Sequence, residues 1–135
     1  MDQITVSHDA SDRFTIRIRG HEVVVDQPAS GDAGPTPTEL FVASLAACAG
    51  FYARRFLARH GLDDGGLVIG CDYRWAPDHS RVEGITLRLD VPGGVAPALE
   101  PALRRAIEHC TVHQSIREQP VIEYAINALQ ESVLL

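Results

Sequence analysis

A chain of 135 residues, 45% hydrophobic and 22% charged, has the length and composition of one globular domain that can bury its own core. Its formal net charge of -6 argues against nucleic-acid and anionic-membrane surfaces, which need clustered positive charge. The longest apolar run, Leu40 to Ala53, is shorter than the roughly 20 residues of a membrane-spanning helix. The chain opens with no charged and then apolar leader, and we expect a cytoplasmic protein without nucleic-acid or membrane partners.

The first third of the chain alternates between apolar and polar residues. Three short, half-buried strands are predicted around Ile4 and Val6, over Phe14 to Ile18, and around Val23 and Val25, with RGHE as the turn between the second and third. The segment QPASGDAGP at 27–35 is rich in Gly and Pro, which predicts a loop.

A long helix is predicted after this loop. Thr36 can cap it, Pro37 suits its first position, and Glu39 follows Thr36 at the spacing of a capping box. The helix is expected to run to about His60 and to end at Gly61. Residues 40–53 are apolar on nearly every face, so we expect burial on all sides, which one small domain achieves only with a second subunit.

The second half of the chain supplies the remaining elements. LVIGCDYRW and VEGITLRLDV predict two strands joined by the polar turn APDHSR. A second helix is predicted from Pro97 to His109, a short helical segment from Val112 to Arg117 before Pro120, and a last strand, VIEYAI, at 121–126. The order βββ-α-ββ-α-α-β predicts a single α+β domain, 1–135, around a long buried central helix.

Three cysteines carry the clearest chemistry of the sequence: Cys48, Cys71 and Cys110. In a cytoplasmic chain they are buried thiols, metal ligands or redox groups rather than a disulfide framework. Cys71 stands in the middle of a predicted strand without a polar partner in its motif, and we assign it to the core.

Cys48 lies in the apolar run SLAACAGF of the long helix. At 3.6 residues per turn, its face holds three aromatic side chains and one hydroxyl, Phe41, Phe51, Tyr52 and Ser44. This face predicts an aromatic pocket around the thiol, with Arg55 as the nearest cation of the helix. Because free cysteine is among the most buried residue types, the helix alone favours a core thiol over a reactive one.

Cys110 lies between His109 and His113 in EHCTVHQ, where the second helix is expected to end. Cysteine and histidine both bind zinc, but a zinc site usually has four ligands at more regular spacing, so we expect no metal. A histidine beside a thiol can also lower the pKa of that thiol. Either histidine is therefore a candidate partner of Cys110.

Two segments together, GPTPTELFVASLAACAGF and AIEHCTVHQSI, resemble the OsmC/Ohr family of osmotically induced and organic-hydroperoxide-resistance proteins. That family has a Pro-x-x-Leu helix start, a small-residue run ending in Ala-Ala-Cys or Ala-Cys, and a second cysteine in a Cys-Pro-x-Ser-like segment. Cys48 and Cys110 match the two cysteines, and GHEVVVDQP and the strand order match as well.

The resemblance implies an intertwined homodimer with the OsmC-like fold, active sites at the subunit interface, and a role in the oxidative stress response. It implies a cysteine-based hydroperoxide reductase with peroxiredoxin-like activity. Cys48 would attack the organic hydroperoxide and become a sulfenic acid, and Cys110 would condense with it to a disulfide. An external dithiol or thiol protein would reduce that disulfide, and no cofactor is implied.

The chain departs from this family where the reactive thiol is activated. Peroxide-reducing members carry a Glu where this chain has Thr38, and an N-terminal Arg for which Arg13, Arg17 and Arg19 are all candidates, with Arg13 the one we favour. Thr111 and His113 replace the usual Pro and Ser, which leaves His113 and Ser44 as other polar partners for the thiols. The alternative function is a non-peroxidase OsmC-like protein that binds a small apolar ligand at the dimer interface or senses redox state.

Overall fold

A three-stranded antiparallel sheet forms the start of the chain, in a computed structural model that describes residues 4–62 and 65–129. Its strands are β1 (Ile4–Ala10), β2 (Arg13–Ile18) and β3 (His21–Val25), in the order β1-β2-β3. Val6 lies opposite Ile16, which lies opposite Val23. Because alternate residues of a strand point to the same side, this register collects the apolar residues of all three strands on one face.

The loop after β3 is organised around the buried carboxylate of Asp26. This carboxylate accepts hydrogen bonds from the backbone N–H groups of Ala33 (3.0 Å) and Gln27 (2.8 Å). The Asp26 N–H donates to the carbonyl of Pro35 at 3.1 Å. Both hydrogen bonds lower the pKa of Asp26, and the one from Ala33 has the larger effect. The loop is thereby closed on itself just before Thr36.

The long helix α1 spans Pro37–Arg59 and begins with the predicted capping box. The hydroxyl of Thr36 accepts from the Glu39 N–H at 3.1 Å, and the Glu39 carboxylate accepts from the Thr36 N–H at 2.7 Å. At the other end His60 caps the helix and Gly61 adopts a φ of 66°, a left-handed conformation that favours glycine. Both predicted ends of the helix are confirmed.

The remaining elements are one hairpin and two short helices: β4 (Val68–Trp75), β5 (Val82–Asp90), α2 (Glu100–Glu108) and α3 (Thr111–Arg117), with single 3₁₀ turns at Pro28–Ser30 and Pro97–Leu99. The hairpin packs closely against α1, because a Cβ at Gly50 would lie only 2.8 Å from the Cδ1 atom of Ile69. The predicted mixed α+β architecture is confirmed.

The core gathers around the C-terminal half of α1. Ala53, Phe56 and Leu57 are buried there against Leu103 of α2. Two aromatic side chains of the same helix, Phe41 and Phe51, remain 43% and 53% exposed. The expectation that α1 is buried on every side is therefore not met within one chain, because the hairpin and the short helices cover only one side.

The predicted last strand at 121–126 is not formed in the single chain. Residues 121–129 have no helix or strand, and their apolar side chains are exposed, with Ile126 91% exposed. A strand needs a neighbour for its backbone hydrogen bonds. Within the described chain, the two sheets contain β1 to β3 and β4 to β5 only.

Helix α1 extends beyond the apolar run Leu40 to Ala53. That run alone was predicted to be too short to span a membrane. Its 23 residues and a mean hydropathy of 1.3 are sufficient, by length and composition, to cross a bilayer. Core helices of soluble proteins have the same properties, so these values do not distinguish the two environments.

Replacing Thr36 by Ala is predicted to lower the free energy of unfolding by about 1 kcal/mol, because the orphan N–H of Glu39 loses its acceptor. Chemical denaturation at a fixed protein concentration measures the change. Thr38→Ala is the control, since Thr38 lies inside the first turn and does not cap the helix. Equal losses in the two variants would contradict the role of the cap.

Candidate active site

The fold brings together two cysteines that are far apart in the sequence. Cys48 lies on α1 and is partly buried, whereas Cys110 lies between α2 and α3 and is 0% exposed. The Cys48 side chain lies close enough to Cys110 to raise the pKa of the Cys110 thiol, and both are free thiols. The fold therefore brings the predicted pair close together.

Cys110 is also the N-terminal cap of α3. Its sulfur accepts a hydrogen bond from the His113 N–H at 3.3 Å. Burial raises the pKa of Cys110, and the hydrogen bond and charge interaction with Cys48 raise it further, while the backbone N–H groups of His113 and Val112 act in the opposite direction. Because the raising effects prevail, Cys110 favours the protonated thiol at neutral pH.

Tyr52 links α1 to the start of α3. Its hydroxyl lies 3.2 Å from the hydroxyl of Thr111, within hydrogen-bonding distance. The ring of Tyr52 also makes an edge-to-face contact with Phe51, at 5.4 Å between ring centroids. The guanidinium of Arg55 lies 5.4 Å from the centroid of Phe51, so this cation stacks on an exposed ring. The pocket predicted around Cys48 included Tyr52, but the hydrogen bond from Tyr52 to Thr111 was not predicted.

A cavity of about 740 Å³ is lined by Cys110 but not by Cys48. About half of its lining residues are aliphatic, among them Leu45 of α1, Leu87 of β5 and Ile107 of α2. The lining also includes charged side chains of β5 and α2, namely Glu83, Glu100, Arg104 and Glu108. Phe41 lines this cavity and also a second one, of about 580 Å³, beside α3. The aliphatic part of the lining suits an apolar group.

The predicted polar partners of the thiols have different fates. His113 lines the cavity and reaches Cys110 through its backbone N–H. The hydroxyl of Ser44 donates to the carbonyl of Phe41 at 2.7 Å, within the same helix. Arg13 lies near the Asp26 carboxylate and contributes to lowering the pKa of Asp26. Of the three, His113 forms the hydrogen bond to a cysteine of the pair, and it does so through its backbone.

Cys71 stands apart from this pair, on β4 opposite Leu87 of β5. Burial raises the pKa of Cys71, and the neighbouring Asp72 carboxylate raises it further. Cys71 is only half-buried and is not among the buried residues of the core, so its predicted place in the core is not reached within the described chain. Among the described residues, no group of three or more His, Cys, Asp or Glu side chains is arranged to hold a metal ion.

Known proteins match the chain both by a family model and by their fold. The family model described as OsmC-like protein matches residues 29–125. An OsmC-like protein of Mycoplasma pneumoniae aligns with a TM-score of 0.75 at 14% identity over 86% of each chain. A Psychrobacter arcticus protein, described as an osmotic stress induced and detoxification response protein, has a TM-score of 0.78 at 18% identity, over 85% of this chain and 88% of its own.

A third solved structure is the organic hydroperoxide resistance protein OhrB of Bacillus subtilis. It aligns with a TM-score of 0.61 at 17% identity, over 86% of this chain and 91% of its own. No curated protein sequence matches the chain. At these identities the structural matches establish the fold.

Iodoacetamide at neutral pH is predicted to alkylate Cys48 before Cys110. Cys110 is fully buried and its pKa lies above the ordinary value of 9.0, so it presents little accessible thiolate, which is the reactive form. Peptide mass analysis of a time course measures both rates, with the unfolded protein as the control in which burial is lost. Alkylation of Cys110 at the rate of Cys48 in the folded protein would contradict the assignment.

Proposed function

The chain belongs to the OsmC/Ohr family, and on that premise we propose that it is a thiol-dependent peroxidase that reduces organic hydroperoxides. The observation that carries this proposal is that the fold brings Cys48 and Cys110, which are far apart in the sequence, close together. A peroxidase of this kind needs one thiol that reacts with the peroxide and a second thiol within reach of the product. The solved structures that are similar to this chain include proteins named for organic hydroperoxide resistance.

In the first step, Cys48 attacks the hydroperoxide. Its thiolate forms a bond to the terminal oxygen, the O–O bond breaks, and the alkoxide leaves as the alcohol after taking up a proton. The sulfur is oxidised to a sulfenic acid while the hydroperoxide is reduced. The partial exposure of Cys48 and the complete burial of Cys110 support this division of roles, since the attacking thiol must be accessible.

In the second step, Cys110 resolves the sulfenic acid. Its sulfur attacks the sulfur of Cys48, the S–O bond breaks, water leaves, and a disulfide forms. A disulfide needs Cα atoms within about 7 Å of each other, and the fold already brings the two thiols close together. An external dithiol or thiol protein then reduces the disulfide by exchange, which restores both thiols and oxidises the reductant.

The aliphatic part of the cavity lining supports an organic substrate. Its volume of about 740 Å³ is within the range of small-molecule sites, and aliphatic walls retain an apolar group by excluding water from it. Hydrogen peroxide has no such group. We therefore assign the preference of the enzyme to hydroperoxides with an alkyl or aryl group.

A second candidate function is the binding of a small apolar ligand or the sensing of redox state without peroxidase turnover. The observation that favours it is that the candidate charged partners of the thiol are engaged elsewhere. Arg13 lies near Asp26, and Glu39 caps α1. Position 38, where peroxide-reducing relatives have a Glu, is Thr38. Under this alternative the cavity binds its ligand and the thiols do not turn over.

We also propose that the protein is a homodimer. The apolar face of the β1 to β3 sheet leaves Ile4 and Val6 more than half exposed, and Phe51 of α1 is exposed as well. The apolar segment 121–129 is also uncovered. Exposed apolar area on this scale is typical of surfaces that bind another protein. A second copy of this chain would cover these surfaces and offer a neighbour to the segment that forms no strand alone.

Steady-state turnover tests the peroxidase proposal with cumene hydroperoxide as substrate and dithiothreitol or dihydrolipoamide as reductant. Cys48→Ser is predicted to abolish turnover, and Cys110→Ser to leave a sulfenic or sulfinic acid on Cys48. Cys71→Ser is the matched control and keeps full turnover. Cumene hydroperoxide should react about tenfold faster than hydrogen peroxide or more, since burying a large apolar group contributes about 1.5–3 kcal/mol. Turnover that survives in Cys48→Ser would refute the assignment.

Sedimentation at micromolar concentration tests the homodimer. The wild-type protein is predicted to sediment as a dimer of the 14.7 kDa chain. Val6→Asp introduces a charge on the exposed apolar face of β1 and is predicted to shift the protein towards monomer. Ser7→Asp is the control, because adjacent residues of a strand point to opposite faces. A wild-type protein that sediments only as monomer would overturn the proposal.

A further inference from the structure

One hydrogen bond connects the two chain segments that carry the cysteines, close to both of them. Tyr52 follows Cys48 by one helical turn on α1, and Thr111 follows Cys110 directly at the start of α3. The hydroxyls of Tyr52 and Thr111 lie 3.2 Å apart. A side-chain bridge between the segments therefore lies within one turn of each sulfur.

We propose that Tyr52 and Thr111 are positioning residues, which hold Cys110 against Cys48 and thereby favour the disulfide between them. The inference rests on the proposed function for the natural oxidant, but the disulfide equilibrium itself can be measured without a hydroperoxide. Neither residue reacts. Both act by restricting where the Cys110 sulfur can go.

The short helix α3 needs such a restraint. It has seven residues, too few to be stable without contacts to the rest of the protein. The side chain of Gln114 donates to the carbonyl of Glu108 at 2.7 Å, which fixes the start of α3 to the end of α2. The bond between Tyr52 and Thr111 instead fixes the start of α3 to α1, where Cys48 lies.

The bridge is compatible with disulfide formation. When the Cys48 and Cys110 sulfurs bond, they approach to about 2.05 Å, and the start of α3 must move with Cys110 towards α1. A hydrogen bond between two side chains can be retained during this movement, because both side chains rotate about their χ1 bonds. Without the bridge, the start of α3 can take more positions, and a smaller fraction of these positions brings the two sulfurs together.

The expected effect is modest. Tyr52 is half-buried and Thr111 is exposed, so water competes for both hydroxyls. The net strength of such a hydrogen bond corresponds to about a three- to fivefold change in an equilibrium constant, which is the upper limit here, because the bond already forms in the reduced chain and only its strengthening in the disulfide form shifts the equilibrium. This is large enough to measure in a redox titration.

The test is a redox titration of the full chain in mixtures of reduced and oxidised glutathione. Two glutathione thiols form for each Cys48–Cys110 disulfide, and peptide mass analysis measures the fraction of that disulfide. Thr111→Val and Tyr52→Phe are each predicted to lower the equilibrium constant by up to about fivefold. The double variant should fall no further than either single variant, since the bridge is already lost. Thr111→Ser keeps a hydroxyl and should restore the wild-type value.

Ser115→Ala is the matched control. This variant removes another side-chain hydrogen bond of α3, from the Ser115 hydroxyl to the carbonyl of Thr111 at 2.8 Å. Because that bond does not reach α1, the equilibrium constant should stay unchanged. An unchanged constant in Thr111→Val, an equal loss in Ser115→Ala, or a wild-type protein that forms no disulfide would overturn the inference. A disulfide that forms with glutathione but not with cumene hydroperoxide would refute the proposed function and leave this inference intact.

Discussion

The packing of the α2–α3 turn against α1 is the constraint on which the candidate site depends. It places the buried sulfur of Cys110 close to Cys48. The capping box fixes where α1 begins, and the apolar cluster around Leu57 holds its C-terminal half. With both ends of α1 held, the position of Cys48 between them is determined, and the proximity of the thiols follows from the fold.

The chemistry of the pair follows from the different surroundings of its two members. Burial raises the pKa of Cys110, while the N–H of His113 provides a hydrogen bond that opposes this effect only in part. Cys48 is partly accessible on its helix. A disulfide-forming peroxidase needs this asymmetry, because one thiol must meet the substrate and the other must remain protected until the first is oxidised.

The sequence predicted those features that depend on local rules. The capping box at Thr36 and the helix end at Gly61 are decided by neighbouring residues, and both were predictable. The proximity of Cys48 and Cys110 involves distant segments, so periodicity could not reveal it, and only the family resemblance indicated it. The bridge from Tyr52 to Thr111 had no signal in the sequence beyond two hydroxyls near two cysteines. The predicted strand at 121–126 failed because pattern alone cannot supply its neighbour.

The most direct test is peptide mass mapping of the wild-type protein after one equivalent of cumene hydroperoxide, without a reductant. The proposed function predicts a single cross-linked pair of peptides that contain Cys48 and Cys110, with Cys71 still a free thiol. A Cys48 that remains a free thiol in excess hydroperoxide, although it is alkylated readily by iodoacetamide, would contradict the account.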